Sequence, residues 1–388
     1  MQVKEINDKA SVNAFHEFPY LVYKDDPNWT PPLRMMLEAI FDPLQNNSLK
    51  NGGVCRWLLT DNGKVIGRIA AFYVATYAYS FEQPTGGIGF FECIDDTTAA
   101  TMLFDTACNW LREQGMEAVD GPINIGENFF NWGILVDGFM PQGFGMPYNP
   151  PYYHTLFENY GFQTYYEQYS YHLNITSPDL PDRFWKIAAW MARKPGFIFE
   201  QFRFSNKARF ISDFIEIYDQ AWAKHDNYKK IDPDDILNML QQSKMMLEED
   251  FIWFVYHEGQ PIAFLMMVPD LNQLFKHCRN GKMNLFNKMK LIYLKRKKAI
   301  SRCRVLVMGV IPRFQKSGIE SAIFYRLRQV LLKKNWYNEM ELGWVGDFNP
   351  KMISIFEAVG GKHVKTHLTL RYLFDRNKEF KRSSIIND

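Results

Sequence analysis

The chain has 388 residues, with 45 Lys/Arg against 43 Asp/Glu and 47% apolar residues, which allows two globular domains and excludes a disordered or fibrous polymer. The charged start "MQVKEINDKA" predicts no secretory leader, and no apolar run reaches the ~20 residues of a spanning helix. Cys55, Cys93, Cys108, Cys278 and Cys303 form no C-x-x-C pair, which suits a reduced, cytoplasmic chain with no metal site.

In chain order, the first strong signal is "WLLTDNGKVIG" from Trp57, an apolar strand, a Gly-bearing turn and a second strand. "CIDDTTAATML" from Cys93 follows. Next comes "GPINIGENFFNWGILVDGF" and then "MPYNPPYY", a stretch rich in Gly, Asn and aromatics. Asn124, Asn128, Asn131, Asp137, Tyr148, Tyr152 and Tyr153 lie in it. Amides and phenols of this kind line a small-molecule pocket or brace a structural loop, and both readings stand. "PYYHTLFENYG" from Pro151 predicts a helix with Pro in its first turn and Gly at its end. "NITSPDLPD" has the composition of a connection and places a boundary at 176/177.

Beyond it, "PDRFWKIAAWMARK" and "ISDFIEIYDQAWAK" predict amphipathic helices, the second with Phe214, Ile217, Tyr218, Ala221 and Trp222 at helical spacing. "WFVYHEGQPIA" from Trp253 then repeats the first hairpin. "PKMISIFEAVG" from Pro350 repeats the earlier helix as P-x5-F-E-x2-G. Two matches in the same order at nearly the same offset predict a duplicated domain, 1–176 and 177–388. The second copy carries an insertion, 270–304. From Leu271 to Arg304 it holds Lys276, Arg279, Lys282, Lys288, Lys290, Lys295, Arg296, Lys297, Lys298, Arg302 and Arg304, with no Asp or Glu. Leu271, Leu274, Phe275, Leu285, Phe286, Met289, Leu291 and Ile292 interleave with these cations. The pattern fits an amphipathic element on an anionic membrane, a solvated basic excursion, or part of a phosphate site. Nucleic acid is disfavoured, because no recognition motif accompanies the charge.

The strand at 304–310 leads into "IPRFQKSGIESA" and a helix from about Gly318 to Lys334. Free N–H groups at such a helix start favour a phosphate. A lone Q-x-x-G is by itself ordinary strand–turn–helix punctuation. The strands "EMELGWV" and "THLTLRYLF" flank the helix "NPKMISIFEAVGG".

This order of elements resembles the GNAT acyltransferase superfamily, whose acyl-CoA loop reads Q/R-x-x-G-x-G/A. Here that loop reads Gln315-Lys316-Ser317-Gly318-Ile319-Glu320. The resemblance covers 205–375 and, more faintly, 50–172. With "DDPNWTPPL" near the start it is similar to tandem GNAT-like bacterial proteins. It implies an α/β fold of two acyl-CoA N-acyltransferase domains, with acetyl-CoA or a longer acyl-CoA as co-substrate. Val310, Gln315, Lys316, Ser317, Gly318, Ile319, Glu320, Ser321 and Asn349 would hold it. Glu320 stands where the family has Gly or Ala, and Phe356 where the family has a Tyr that protonates the thiolate. Glu341 is the first candidate for the base that takes the amine proton, with Asp347 and His363 behind it. Exposed strand charges would look the same, and Asn349 is also a ready N-cap. The first half has two carboxylates and no Gly at its loop, so it is expected to shape the acceptor site, a small-molecule or lipid amine. A lipid acceptor places the protein at the inner face of the membrane. The alternatives are an aminoacyl transferase using charged tRNA and a catalytically degenerate binding module.

Overall fold

The computed structural model describes residues 1–125, 131–222, 230–244, 247–278 and 281–386. The first half supplies β1 (Gln2–Glu5), α1 (Lys9–Val22), α2 (Arg34–Phe41), β2 (Gly52–Asp61), β3 (Lys64–Val74), α3 (Ala75–Ala78) and β4 (Thr85–Cys93). It continues with α4 (Thr97–Glu113), β5 (Ala118–Gly121), β6 (Ile134–Asp137), α5 (Tyr153–Tyr160) and β7 (Gln163–Asn174). The second half supplies α6 (Asp182–Met191), β8 (Phe197–Gln201), α7 (Lys207–Trp222), α8 (Pro233–Ser243), β9 (Ile252–His257) and β10 (Gln260–Pro269). After these come α9 (Asn272–Phe275), α10 (Leu285–Arg296), β11 (Arg302–Val310), α11 (Ile319–Lys333), β12 (Glu339–Gly346), α12 (Pro350–Ala358) and β13 (Lys362–Leu373).

These elements form two compact units. Unit 1 comprises Met1–Gln168, Phe275–Lys290 and Lys365–Ile385; unit 2 comprises Tyr169–Leu274, Leu291–Val364 and Ile386–Asp388. The units interleave in sequence, which differs from the division at 176/177. In unit 1 the strands run β1-β2-β3-β4-β5-β13-β7, antiparallel up to β4, parallel between β4 and β5, and antiparallel between β5 and β13. In unit 2 they run β8-β9-β10-β11-β12-β7, antiparallel up to β11 and parallel between β11 and β12. Each half therefore lends a strand to the other's sheet. Residue periodicity marks a strand but does not say which edge it joins.

The duplication extends to the turns. Asn62-Gly63 joins β2 to β3 with φ of 47° and 77°, and Glu258-Gly259 joins β9 to β10 with φ of 51° and 79°. Positive φ at both residues is the tight hairpin turn whose twist matches the strands. In each unit a long helix after the fourth strand buries its apolar face. In α4 that face is Leu103, Phe104, Ala107 and Leu111; in α11 it is Ile319, Ile323, Leu327 and Leu331.

The basic insertion divides into two parts. Leu271, Leu274, Phe275 and Cys278 are buried, so they are core residues and not interfacial ones. Among the described residues of the insertion, the exposed large apolar side chains all lie on α10. Among the described residues, no helix is long and apolar enough to cross a membrane.

Candidate functional site

Unit 2 holds the predicted loop. β11 ends at Val310, a single turn spans Pro312–Phe314, and Gly318 is the N-cap of α11 at φ 88°, with no side-chain cap bond. A glycine suits this left-handed position, and its missing Cβ would meet only Met191 Cγ at 3.7 Å. Gln315 pins the loop across the strand end: its amide donates to Val310 O at 3.0 Å and its Oε1 accepts from Lys351 Nζ at 2.8 Å. Ser317 Oγ donates to Phe314 O at 2.5 Å. Lys316 and Ser317 are exposed, Ser321 is half-buried and Ile319 is buried. The first N–H groups of α11 lack intrahelical partners and carry the positive end of the helix dipole.

Beside the loop the sheet opens. β11 and β12 are paired over Arg302–Val305 and Glu339–Leu342, yet β11 continues to Val310 and β12 to Gly346. Gly343 marks the point of parting, where a Cβ would stand 2.2 Å from Val305 O. Leu306, Val307 and Met308 are half-buried although β11 is an inner strand of the sheet. Two strand ends that part in mid-sheet offer backbone groups and a slot to an extended ligand.

Glu320 is buried, with its own backbone N–H and that of Lys316 favouring the ionised carboxylate. Burial pushes its carboxyl up from the usual range, and Lys351 pulls it back. A carboxylate therefore competes for donors that a phosphate would use. The loop retains Gly318 and the N–H groups of Ile319 and Ser321, with the exposed side chains of Arg313 and Lys316 able to balance charge. These residues fit a diphosphate.

The three candidate bases lie apart. Glu341, 2% exposed, sits in the paired part of β12 opposite Arg304, itself 1% exposed. Burial pulls the Arg304 guanidinium down to about 10, with Glu341 and Asp270 opposing. Arg302 donates to Asp270 at 2.7 Å in the same cluster. Glu341 is thus a charge partner in a buried network, two residues before the strands part at Gly343. Asp347, half-buried, follows the open end of β12. His363 is exposed at the start of β13, edge-on to Tyr169 at 5.0 Å. Asn349 caps α12, accepting from Met352 N at 3.1 Å. Phe356 is buried against Tyr171 with ring centroids 5.7 Å apart, so no phenol stands at the helix position where the resemblance implies one.

The first-half candidates lie in unit 1, where the phenols of Tyr148, Tyr152 and Tyr153 donate to protein acceptors and Asn131 and Asp137 are exposed. Tyr153 donates to Glu92 at 2.7 Å, Tyr23 donates to the same oxygen at 2.8 Å, and Arg68 pairs with the other at 3.4 Å. Burial raises the Glu92 carboxyl and the Tyr153 phenol alike. Tyr152 donates to Cys93 O and Tyr148 to Asp26, each at 2.7 Å. Asn124 Oδ1 accepts from Ile125 N at 2.8 Å, and Asn131 N–H donates to Gly145 O at 2.7 Å with φ 48°. Asn128 lies outside the described residues.

Unit 2 also carries an aromatic ladder whose helical spacing the sequence shows and whose stacking it does not. Phe214, Tyr218 and Trp222 stack along α7, with centroids 5.9 and 4.8 Å apart, and all are half-buried. Trp222 lies over β11 where Gly309 has no Cβ to obstruct it; an added Cβ would be 2.6 Å from the indole. The i, i+4, i+8 spacing of these aromatics was the available signal.

The repeated order of antiparallel strands, a parallel fourth–fifth pair and a helix between them defines a tandem GNAT fold. A tandem GNAT protein from the clavulanic acid biosynthesis pathway superposes with a TM-score of 0.58 at 10% identity, covering 97% of this chain and 99% of its own. Two relatives align over nearly their whole length. Protein YghO of Escherichia coli (strain K12) is 25% identical over 377 residues, covering 94% of this chain and 93% of the relative. A bacterial ceramide synthase of Caulobacter vibrioides (strain NA1000 / CB15N) is 26% identical over 379 residues, covering 95% and 96%. No family model matches the chain.

Proposed function

We propose that the protein is an N-acyltransferase that moves an acyl group from acyl-CoA to the amine of a long-chain lipid. The observation that carries this reading is the parting of β11 and β12 beside a helix start whose N-cap is Gly318, with no side-chain cap bond. The slot suits the extended pantetheine, and the first-turn N–H groups suit the diphosphate of CoA. The stacked Phe214, Tyr218 and Trp222 offer an apolar wall for a chain, and a full-length relative is named a ceramide synthase.

In the reaction the neutral amine attacks the thioester carbonyl. The C–N bond forms, the C–S bond breaks, and CoA leaves as thiolate to be protonated. Asp347, at the open end of β12, takes the amine proton directly or through water. Phe356 supplies no proton, so the thiolate takes one from solvent or receives the amine proton back from Asp347 through water.

The test is incubation with palmitoyl-CoA and a sphingoid base, following the amide by mass spectrometry and free thiol by colour. Amide formation that falls about a hundredfold in kcat with Asp347→Asn, at unchanged acyl-CoA affinity, is the expected result. Acyl-CoA binding without any amide from long-chain amines would favour the binding-module reading, which the buried Glu320 supports.

A further inference from the structure

We infer that α10 is a membrane-docking helix that lays an open apolar stripe, edged by cations, onto an anionic bilayer. The inference stands on the surface of this helix and does not depend on the reaction proposed above.

Leu285, Met289 and Ile292 recur at i, i+4 and i+7, and Phe286 and Tyr293 follow one residue behind, so all five share one side of the helix. Their exposures are 72%, 56%, 46%, 68% and 58% in that order. The opposite side faces protein: Asn287 is buried, with its amide donating to Lys282 O at 2.7 Å, and Leu291 and Leu294 are half-buried. α10 is therefore anchored by one side and bare on the other.

Its charges are placed to match. Lys288 and Lys295 project on one flank of the stripe, Lys290 and Lys297 on the other, and Arg296 near its end. No Asp or Glu occurs from Leu271 to Arg304. A protein partner with an apolar groove would accept the stripe, but it would also have to neutralise cations on both edges with no acid on the helix to offset them. A lipid surface does both: acyl chains take the stripe while head-group phosphates meet the flanks. A polyanion alone would satisfy the lysines and leave Phe286 and Met289 in water. The surface extends beyond the helix. The Arg34 N–H donates to Gly281 O at 2.9 Å, which ties the start of α2, where Met35 is 63% exposed, to the turn leading into α10.

The test is co-sedimentation of the full chain with vesicles of phosphatidylglycerol and phosphatidylcholine, against phosphatidylcholine alone, at low and at about 0.5 M salt. Binding to the anionic vesicles that partly survives salt is the expected result. Changing Lys288, Lys295, Arg296 and Lys297 together to Gln is expected to weaken partitioning about a hundredfold at low salt. Changing Phe286, Met289 and Ile292 to Ser is expected to abolish the salt-resistant part. All seven positions are exposed, and unchanged thermal melts confirm folding. Overturning results are no binding to anionic vesicles, or binding that vanishes with salt and ignores the Ser variant. The latter would leave a purely ionic patch for a nucleic acid.

Discussion

The N-termini of α4 and α11 occupy the same place in the two repeats and are finished differently. At α4 the Asp96 carboxylate accepts from Ala99 N at 2.8 Å, so a fixed anion already fills the helix start. The adjacent strands stay together there, because Ile123 N–H donates to Ile88 O at 2.8 Å past the end of their ladder. At α11 the cap is Gly318, no side chain reaches the first turn from that position, and the strands part after Val305 and Leu342. One scaffold thus serves as a closed structural copy and an open copy. The difference lies in one capping residue and a few strand hydrogen bonds.

Substitutions at the base of β12 and at the two helix starts separate the closed copy from the open one. The largest expected effect on stability is at the closed base of the open copy. Glu341→Gln leaves Arg304 buried with a weaker partner, and urea melts are expected to show a loss of about 3 kcal/mol. A stable variant with slow turnover would instead make Glu341 the base. Asp96→Ala removes the cap of the closed copy and is expected to cost about 1 kcal/mol without changing acyl-CoA binding.

The smallest effect is at Glu320, where the two copies come closest to resembling each other, since both place a carboxylate near the helix start. Burial raises its carboxyl in the folded state. Its contribution to stability is therefore fully present below the unfolded carboxylate value and lost as pH rises through the folded one. Glu320→Gln is accordingly expected to melt higher than the parent at neutral pH, with the gap closing as pH falls. It is also expected to bind acyl-CoA more tightly, because a competing charge is gone. A gap that widens towards acid would mean that the carboxylate is held by its hydrogen bonds more than it is penalised by burial.

Much of this contrast was legible in the sequence. The paired Trp-led hairpins, the Gly318 turn and the carboxylates of "CIDDTTAATML" all mark the two copies and their unequal loops. The exchange of β7 and β13 was not legible, because an alternating strand looks the same whichever edge it joins. Nor was the partner of Glu341. Its apposition to Arg304 depends on strand register, which the spacing between two distant residues does not encode. Tyr148, Tyr152 and Tyr153 were read as candidate ligand contacts because a phenol in a Gly-rich stretch gives no hint of direction; each hydrogen-bonds within unit 1. The aromatics of α7 were visible as helix spacing, but their stacking over Gly309 requires the sheet beneath them.

The most direct test of an open and a closed copy is calorimetric titration of palmitoyl-CoA into the full chain below its micelle concentration. Saturation at one ligand per chain is the expected result. Gly318→Asp is expected to abolish that binding, because it places a carboxylate and a strained Cβ where the open copy has neither. A matching thermal melt would show that the variant still folds. Two ligands per chain, or undiminished binding to a folded Gly318→Asp variant, would contradict the distinction between the copies.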